Sequence, residues 1–290
     1  MKRWLAALLV CCLPAQATIA EQYAVIMPGT SALTQQFMAS LGNALPEDRI
    51  IELSVNDAVP EGTDLVITMG RQGLEARLQQ PDGLPTLATY VTAESLLATA
   101  AADKPMHALL ANPKPARQVA LAKLLVPGIR RIGILLTEQT RSGLPEWRQA
   151  AAQQNTDLVS VTVDPQQNLT RKLVDIITDS DILLGTDDSL IYNADNLKTI
   201  LLTSYSRSKV LIGPSAPFID AGSLTTTYSS PDDMARSTAW LIKQGVPGSG
   251  SSYPKHFSVL SNAQVARSLG IPLPDDATLA QRLAELEHAQ

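Results

Sequence analysis

Cysteine is almost missing from this chain. Its 290 residues hold two, Cys11 and Cys12, both within the first dozen positions. Everything after them is therefore without a disulfide framework, a thiol nucleophile or a cysteine metal site. Aromatic residues make up only 4%, so a core has to be built from Ala, Val, Ile and Leu. The longest apolar run, Trp4 to Leu13, falls short of the ~18 residues a membrane helix needs. Histidine occurs three times, as His107, His256 and His288, and no two of them stand at metal-ligand spacing. A basic stripe is lacking too. The formal net charge is -5, and an acidic chain of this kind is unsuited to nucleic acid.

Catalytic signatures are equally scarce. The sequence contains no G-x-G-x-x-G, no Walker A loop and no H-E-x-x-H. Gly213-Pro214-Ser215-Ala216-Pro217 approaches a nucleophile elbow but lacks the final glycine, and Pro217 argues against a helix starting at once. The expectation is a protein that is not an enzyme and needs no cofactor and no metal.

What is present begins at the N-terminus. Lys2 and Arg3 precede the apolar run, Pro14 breaks it, and Ala15-Gln16-Ala17 offers small residues where a signal peptidase cuts. That order describes a cleavable secretory leader over residues 1–17, with Ala20 as an alternative cleavage position. Val10 before Cys11 is a poor lipidation context. The mature protein is therefore expected in the periplasm as a soluble monomer.

From Tyr23 to Val259, short apolar runs alternate with helical patterns. Strands are predicted at 24–27, 50–55, 65–69, 86–91 and 107–111. Helices follow or intervene, with Leu33, Phe37, Met38, Leu41 and Leu45 at helical spacing. After Pro127-Gly128 the pattern restarts, with strands predicted at 131–136, 158–163, 181–184, 210–212 and 224–228. Residues 245–252, rich in Gly and Ser, read as a loop. Strands alternating with helices imply parallel sheets covered on both faces. Two successive runs imply two such sheets, hence two Rossmann-like α/β lobes. Ligands bind beyond the carboxyl ends of such strands, which singles out the loops 29–31, 70–72, 112–114, 137–141, 186–189 and 215–218.

Within those loops, Asp187 and Asp188 close an apolar strand. Neighbours on a strand face opposite sides, so one carboxylate can enter a cleft while the other caps a helix beginning near Ser189. Pure capping by both is the competing reading. The Thr68-to-Gln72 turn leads from a strand into a helix, where free N–H groups favour a carboxylate or phosphate; an ordinary tight turn explains it equally.

Several segments carry a resemblance. They are Asp64-Leu65-Val66-Ile67-Thr68-Met69-Gly70, Leu124 to Leu135 around Val126-Pro127-Gly128-Ile129, Leu184-Gly185-Thr186-Asp187-Asp188, Ala221-Gly222-Ser223-Leu224, and Asn262 to Pro274. In order and spacing they resemble the substrate-binding proteins of ABC transporters, in the tryptophan-binding-like group. Asp188 stands where that family usually has Asn. The resemblance implies the type I periplasmic-binding fold, with two lobes joined by three crossings. Lobe 1 would comprise 21–112 plus 222–244, and lobe 2 would comprise 113–221 plus 245–290. Hinges would lie near Pro113, Asp220 and Gly245.

It also implies a small-molecule ligand and an inner-membrane ABC permease, or a membrane receptor or kinase if the role is sensing. An enzyme on the same scaffold would need the catalytic groups that are missing. The expected ligand contacts are Ser31, Thr68, Gly70 and Gln72 from lobe 1, and Asp187, Tyr192, Asn193, Ser215 and Phe218 from lobe 2. Asp187 would hold the cationic end of a small polar, amino-acid-like ligand, Tyr192 would add an aromatic wall, and the lobe 1 turn would hold an anionic head.

Overall fold

The computed structural model describes residues 20–99 and 105–289, without the side chains of residues 97 and 98. The leader expected at 1–17, with Cys11 and Cys12, lies outside the described residues. Among those residues, no helix is long and apolar enough to cross a membrane.

The first sheet contains β1 (Gln22–Met27), β2 (Arg49–Ser54), β3 (Leu65–Met69), β4 (Thr86–Val91) and β5 (Met106–Leu110). A late strand, β11 (Ser249–Ser252), completes it in the order β11-β5-β4-β3-β1-β2. All its pairings are parallel. β3 and β5 are buried along their whole length, as central parallel strands covered on both faces must be. Helices α1 (Ala32–Ala44), α2 (Gly70–Leu78) and α3 (Ala93–Ala98) intervene. Helix α1 packs on α9 (Pro231–Gln244). Val25, Ile67 and Leu87 meet Phe37, Leu41 and Met234 in one of this sheet's cores.

The second sheet contains β6 (Arg131–Leu136), β7 (Asp157–Thr162), β8 (Ile182–Leu184), β9 (Val210–Ile212), β10 (Thr225–Tyr228) and β12 (Ser258–Ser261). Its order is β12-β10-β9-β8-β6-β7, parallel except between β10 and β12. Its helices are α4 (Pro115–Leu125), α5 (Leu144–Gln153), α6 (Leu169–Asp179), α7 (Ala194–Tyr205), α8 (Pro217–Ala221), α10 (Ala263–Ser268) and α11 (Asp276–His288). Val119 and Leu125 of α4 join Ile134, Leu184 and Ile212 in one core of this lobe.

The architecture is thus the expected one, two α/β lobes with mostly parallel sheets. The boundaries within the chain differ from the expected ones. Strand β10, expected in lobe 1, pairs with β9 and β12 in the second sheet. Strand β11, expected as a loop of lobe 2, pairs with β5 at the edge of the first sheet. The chain therefore passes between lobes at 111–114, at 229–230 and at 253–257. Only the first of these matches its expected hinge. Helix α8 also starts at Pro217, because proline at the first helical position gives up an N–H that has no helical partner anyway.

Candidate functional site

Sheet order brings the loops after β4, β5, β6, β8 and β9 to one place between the lobes. There they enclose a cavity of about 340 Å³. Lobe 1 supplies Ala93, Glu94 and Leu96 from α3, Asn112 from the first crossing, and Ser251 from β11. Lobe 2 supplies Gln118, Leu136, Thr140, Glu146, Trp147, Gly185, Thr186, Asp187 and Pro214, among others, and Tyr253 enters from the third crossing.

Among the described residues, the charges in this lining are all negative: Glu94, Glu146 and Asp187 contribute three carboxylates, with no Lys, Arg or His. Glu94 and Glu146 are held by identifiable bonds. Glu94 accepts from the Ser189 hydroxyl at 2.7 Å and from the Ser189 N–H at 3.2 Å, which ties α3 of lobe 1 to the loop after β8 of lobe 2. Glu146 accepts from the Tyr253 hydroxyl at 2.9 Å. Asp187 reaches across the cleft to the start of α3, where the Ala93 and Glu94 backbone acts to lower its carboxyl, while the Ala93 N–H itself donates to Asn112 Oδ1 at 3.2 Å. The Asp187 Oδ2 is buried with no hydrogen-bond partner. Burial, with the charges of Glu94 and Asp188 adding to it, pushes the Asp187 carboxyl up to about 6 despite the opposing influence of the Ala93 and Glu94 backbone.

Asp188 faces the other way, as alternation along the chain requires. Its Oδ2 accepts from the Thr137 N–H at 2.7 Å, the Thr137 hydroxyl at 2.8 Å and the Thr140 hydroxyl at 2.5 Å. It pins the loop after β6 to the end of β8. No helix begins at Ser189; α7 begins at Ala194, and Asn193 caps it by accepting from the Asn196 N–H. The capping expected of the aspartate pair is thus done by Asn193.

The close approach of β8 to the β9 loop depends on Gly185. A Cβ there would lie 2.5 Å from Pro214 Cδ and 2.7 Å from its backbone nitrogen. Behind it, the buried Gln118 amide donates to the Gly213 carbonyl at 2.9 Å and accepts from the Thr227 N–H at 3.0 Å. One side chain of α4 thereby fixes the ends of both β9 and β10.

Of the nine ligand contacts expected from sequence, only Asp187 lines this cavity. Ser31 is exposed and caps α1, accepting from the Thr34 N–H. Thr68 is fully buried, and its hydroxyl has no partner. Gly70 takes φ +69 at the start of α2, and Gln72 is exposed beside a shallow depression with Asn56 and Asp57. Tyr192 is not an aromatic wall. It is a core residue, edge-on to Phe218 and donating to the Leu184 carbonyl, because the loop after β8 folds its apolar residues inward. Ser215 bonds locally to Phe218 through its carbonyl.

Sequence reasoning missed Glu94, Gln118, Glu146 and Tyr253. One signal existed: Thr92 and Ser95 form a capping box that starts α3, and the T-x-x-S spacing there hints at a helix start.

Solved structures resemble this chain over most of its length. An ABC domain from Streptococcus pneumonia in complex with L-Trp matches with TM-score 0.54 at 16% identity, covering 89% of this chain and 97% of that one. A ligand-free, open substrate-binding protein with adhesive properties from Clostridium difficile matches with TM-score 0.66 at 12% identity, covering 88% and 97%. An arabinose-binding protein from Geobacillus stearothermophilus matches with TM-score 0.50 at 8% identity, covering 86% and 99%. No protein-family model matches the chain, and no curated protein matches it in sequence. At these identities the likeness is one of fold: two lobes of the periplasmic-binding kind.

Proposed function

We propose that this chain is a solute-binding protein that captures a small cationic molecule between its lobes. The carrying observation is the lining itself: among the described residues, three carboxylates, no cationic side chain, and a buried Asp187 oxygen without a partner. A buried carboxylate is costly unless it is paired, and a ligand ammonium or guanidinium supplies the missing partner. Trp147 and Tyr253 add aromatic surface, which suits a cation as well as its apolar carbon atoms.

Both lobes contribute to the cavity, so an occupied site favours the closed arrangement. Only such differential contact shifts the equilibrium between open and closed forms. This reading alters the expectation from sequence. A zwitterion would need a cation for its carboxylate, and the lining offers none among the described residues; the Ala93 N–H is already used by Asn112. Delivery to an inner-membrane ABC permease, after export to the periplasm on a leader at residues 1–17, is the role that we assign.

The test is native mass spectrometry of freshly purified protein, followed by thermal shift with diamines, guanidinium compounds and quaternary ammonium compounds beside neutral and anionic analogues. A cation at 100 times its dissociation constant should add about 2.7 kcal/mol of stability. Stabilisation by anions or neutral sugars alone, with every cation inert, would reject the reading. N-terminal sequencing of the exported chain should find Thr18 or Glu21 first; a lipidated cysteine at that position would exclude a soluble carrier.

A further inference from the structure

A second cavity, of about 640 Å³, lies beside the hinge and has the opposite charge. Its walls come from both lobes and from the third crossing. Three fixed cations, Lys114, Arg117 and Lys255, face one carboxylate, Glu287, and the imidazoles of His107, His256 and His288 complete the polar lining. In a chain of net charge -5, that concentration of positive charge calls for a counter-charge.

Arg117 is the anchor. It is buried, with its guanidinium 4.0 Å over the Phe257 ring. Its Nε donates to Glu287 at 2.9 Å and its Nη1 donates to the Pro254 carbonyl at 2.9 Å. The remaining Nη2 has no partner among the described residues. Two bonds and a ring contact hold the group in place, so its open nitrogen is pre-aimed, which lowers the cost of binding. Glu287 also accepts from Lys114. Lys255 sits 4.6 Å over the Trp240 ring, and its Nζ has no hydrogen bond among the described residues. The opposing carboxylate is thus committed to Lys114 and Arg117, while Lys255 and the Arg117 Nη2 remain available.

We propose that this hinge cavity binds a small molecule through a phosphate or carboxylate group, held by Arg117 and Lys255. A planar guanidinium fixed at two nitrogens and a mobile ammonium above an aromatic ring make a natural grip for an oxyanion. The residues responsible belong to α4 of lobe 2 and to the third crossing, while Trp240 belongs to α9, which packs in lobe 1. An occupant bridging them favours one hinge angle. It is then coupled to the cation cavity, because Tyr253 lines both and bonds Glu146. Such coupling is reciprocal: each ligand alters the affinity of the other by the same factor.

The test is calorimetric titration of the full chain with inorganic phosphate, and in parallel with acetate, at constant ionic strength. The Lys255→Gln and Arg117→Lys variants are titrated alongside. Wild type should bind one oxyanion saturably, and the tighter of the two names the head group. Lys255→Gln should weaken binding about tenfold, a change of 1.4 kcal/mol, with its apo melting curve unchanged, since Lys255 is exposed. Arg117→Lys should weaken it as well, because a point charge cannot reproduce the fork. Absence of saturable binding of either oxyanion by wild type overturns the proposal, and so does binding that Lys255→Gln leaves intact.

Discussion

Replacing Asp187 by Asn tests the cation site most directly, because the amide keeps the shape and removes only the charge. The Asn carbonyl oxygen can still face the Ala93 and Glu94 backbone at the start of α3, as the carboxylate does. Burial pushes the carboxyl up to about 6 in the folded protein against an ordinary value of 3.8, so the folded form binds the proton more tightly than the unfolded chain does. Its contribution to stability is therefore fully present below about pH 4 and is lost as pH rises through about 6. At 1.36 kcal/mol for each pKa unit, the charged form disfavours closure by about 3 kcal/mol at pH 8, as an upper bound.

The carboxylate is buried by apposition of the lobes, so opening relieves this penalty at less cost than unfolding. Small-angle scattering of the ligand-free protein should show wild type more expanded at pH 8 than at pH 5, and Asp187→Asn compact at both. Thermal melts at pH 8 should place the variant a few degrees above wild type, at roughly 2–4 °C for each kcal/mol retained. Calorimetry with the cation identified for wild type should show affinity lower by one to two decades, from loss of a charged bond worth about 1.5–3 kcal/mol. If wild type and variant scatter alike at both pH values and bind the cation equally, Asp187 is a structural residue and the assignment of the site fails.

Other expectations follow from the same geometry. Gly185→Ala should lower stability by about 1–3 kcal/mol and weaken cation binding, since the added methyl group must push Pro214 away; a denaturant melt with unchanged midpoint would contradict this. Gln118→Leu should cost about 1–3 kcal/mol, because the Thr227 N–H and Gly213 carbonyl lose a buried partner; urea unfolding measures it. Glu146→Gln should weaken cation binding while leaving the apo melt near that of wild type, its Tyr253 bond surviving through the amide oxygen. Ser189→Ala should shift the ligand-free population toward the open form by removing the hydroxyl bond to Glu94 while the backbone bond stays, and scattering should register it as a larger radius of gyration.

The alternation of strands and helices was legible in sequence because period-2 and period-3.6 patterns report burial directly. The Asp187–Asp188 pair was legible for a similar reason, since a carboxylate at the end of a buried strand must go somewhere definite. The partner strand of a Gly/Ser-rich segment was not legible. Residues 249–252 become β11 by pairing with Met106 to Leu109 of β5, where His107 also bonds the Ser252 hydroxyl at 2.9 Å; nothing local demands a strand. The lobe of β10 was hidden likewise, because Thr225–Tyr228 can be read on either side until β12 pairs with it. Most of the site escaped because its carboxylates do not end strands. Glu94 and Glu146 stand in the first turns of α3 and α5, and only the sheet order brings them opposite Asp187.

The late arrival of β11 also bears on how this chain folds. The first sheet begins with β1 at residues 22–27 and is closed at its edge by residues 249–252, so neither lobe is a continuous stretch of sequence. A ribosome releasing the chain from its N-terminus delivers most of lobe 1 early, yet α9 and β11 reach it only after the second sheet's strands β6 to β10 have emerged. Until then the β5 edge and the α1 face that α9 covers stay open. Contacts so distant along the chain close slowly, and an unpaired sheet edge in the interval invites pairing with another chain. The first sheet therefore gains its last strand only with the final forty or so residues of the chain.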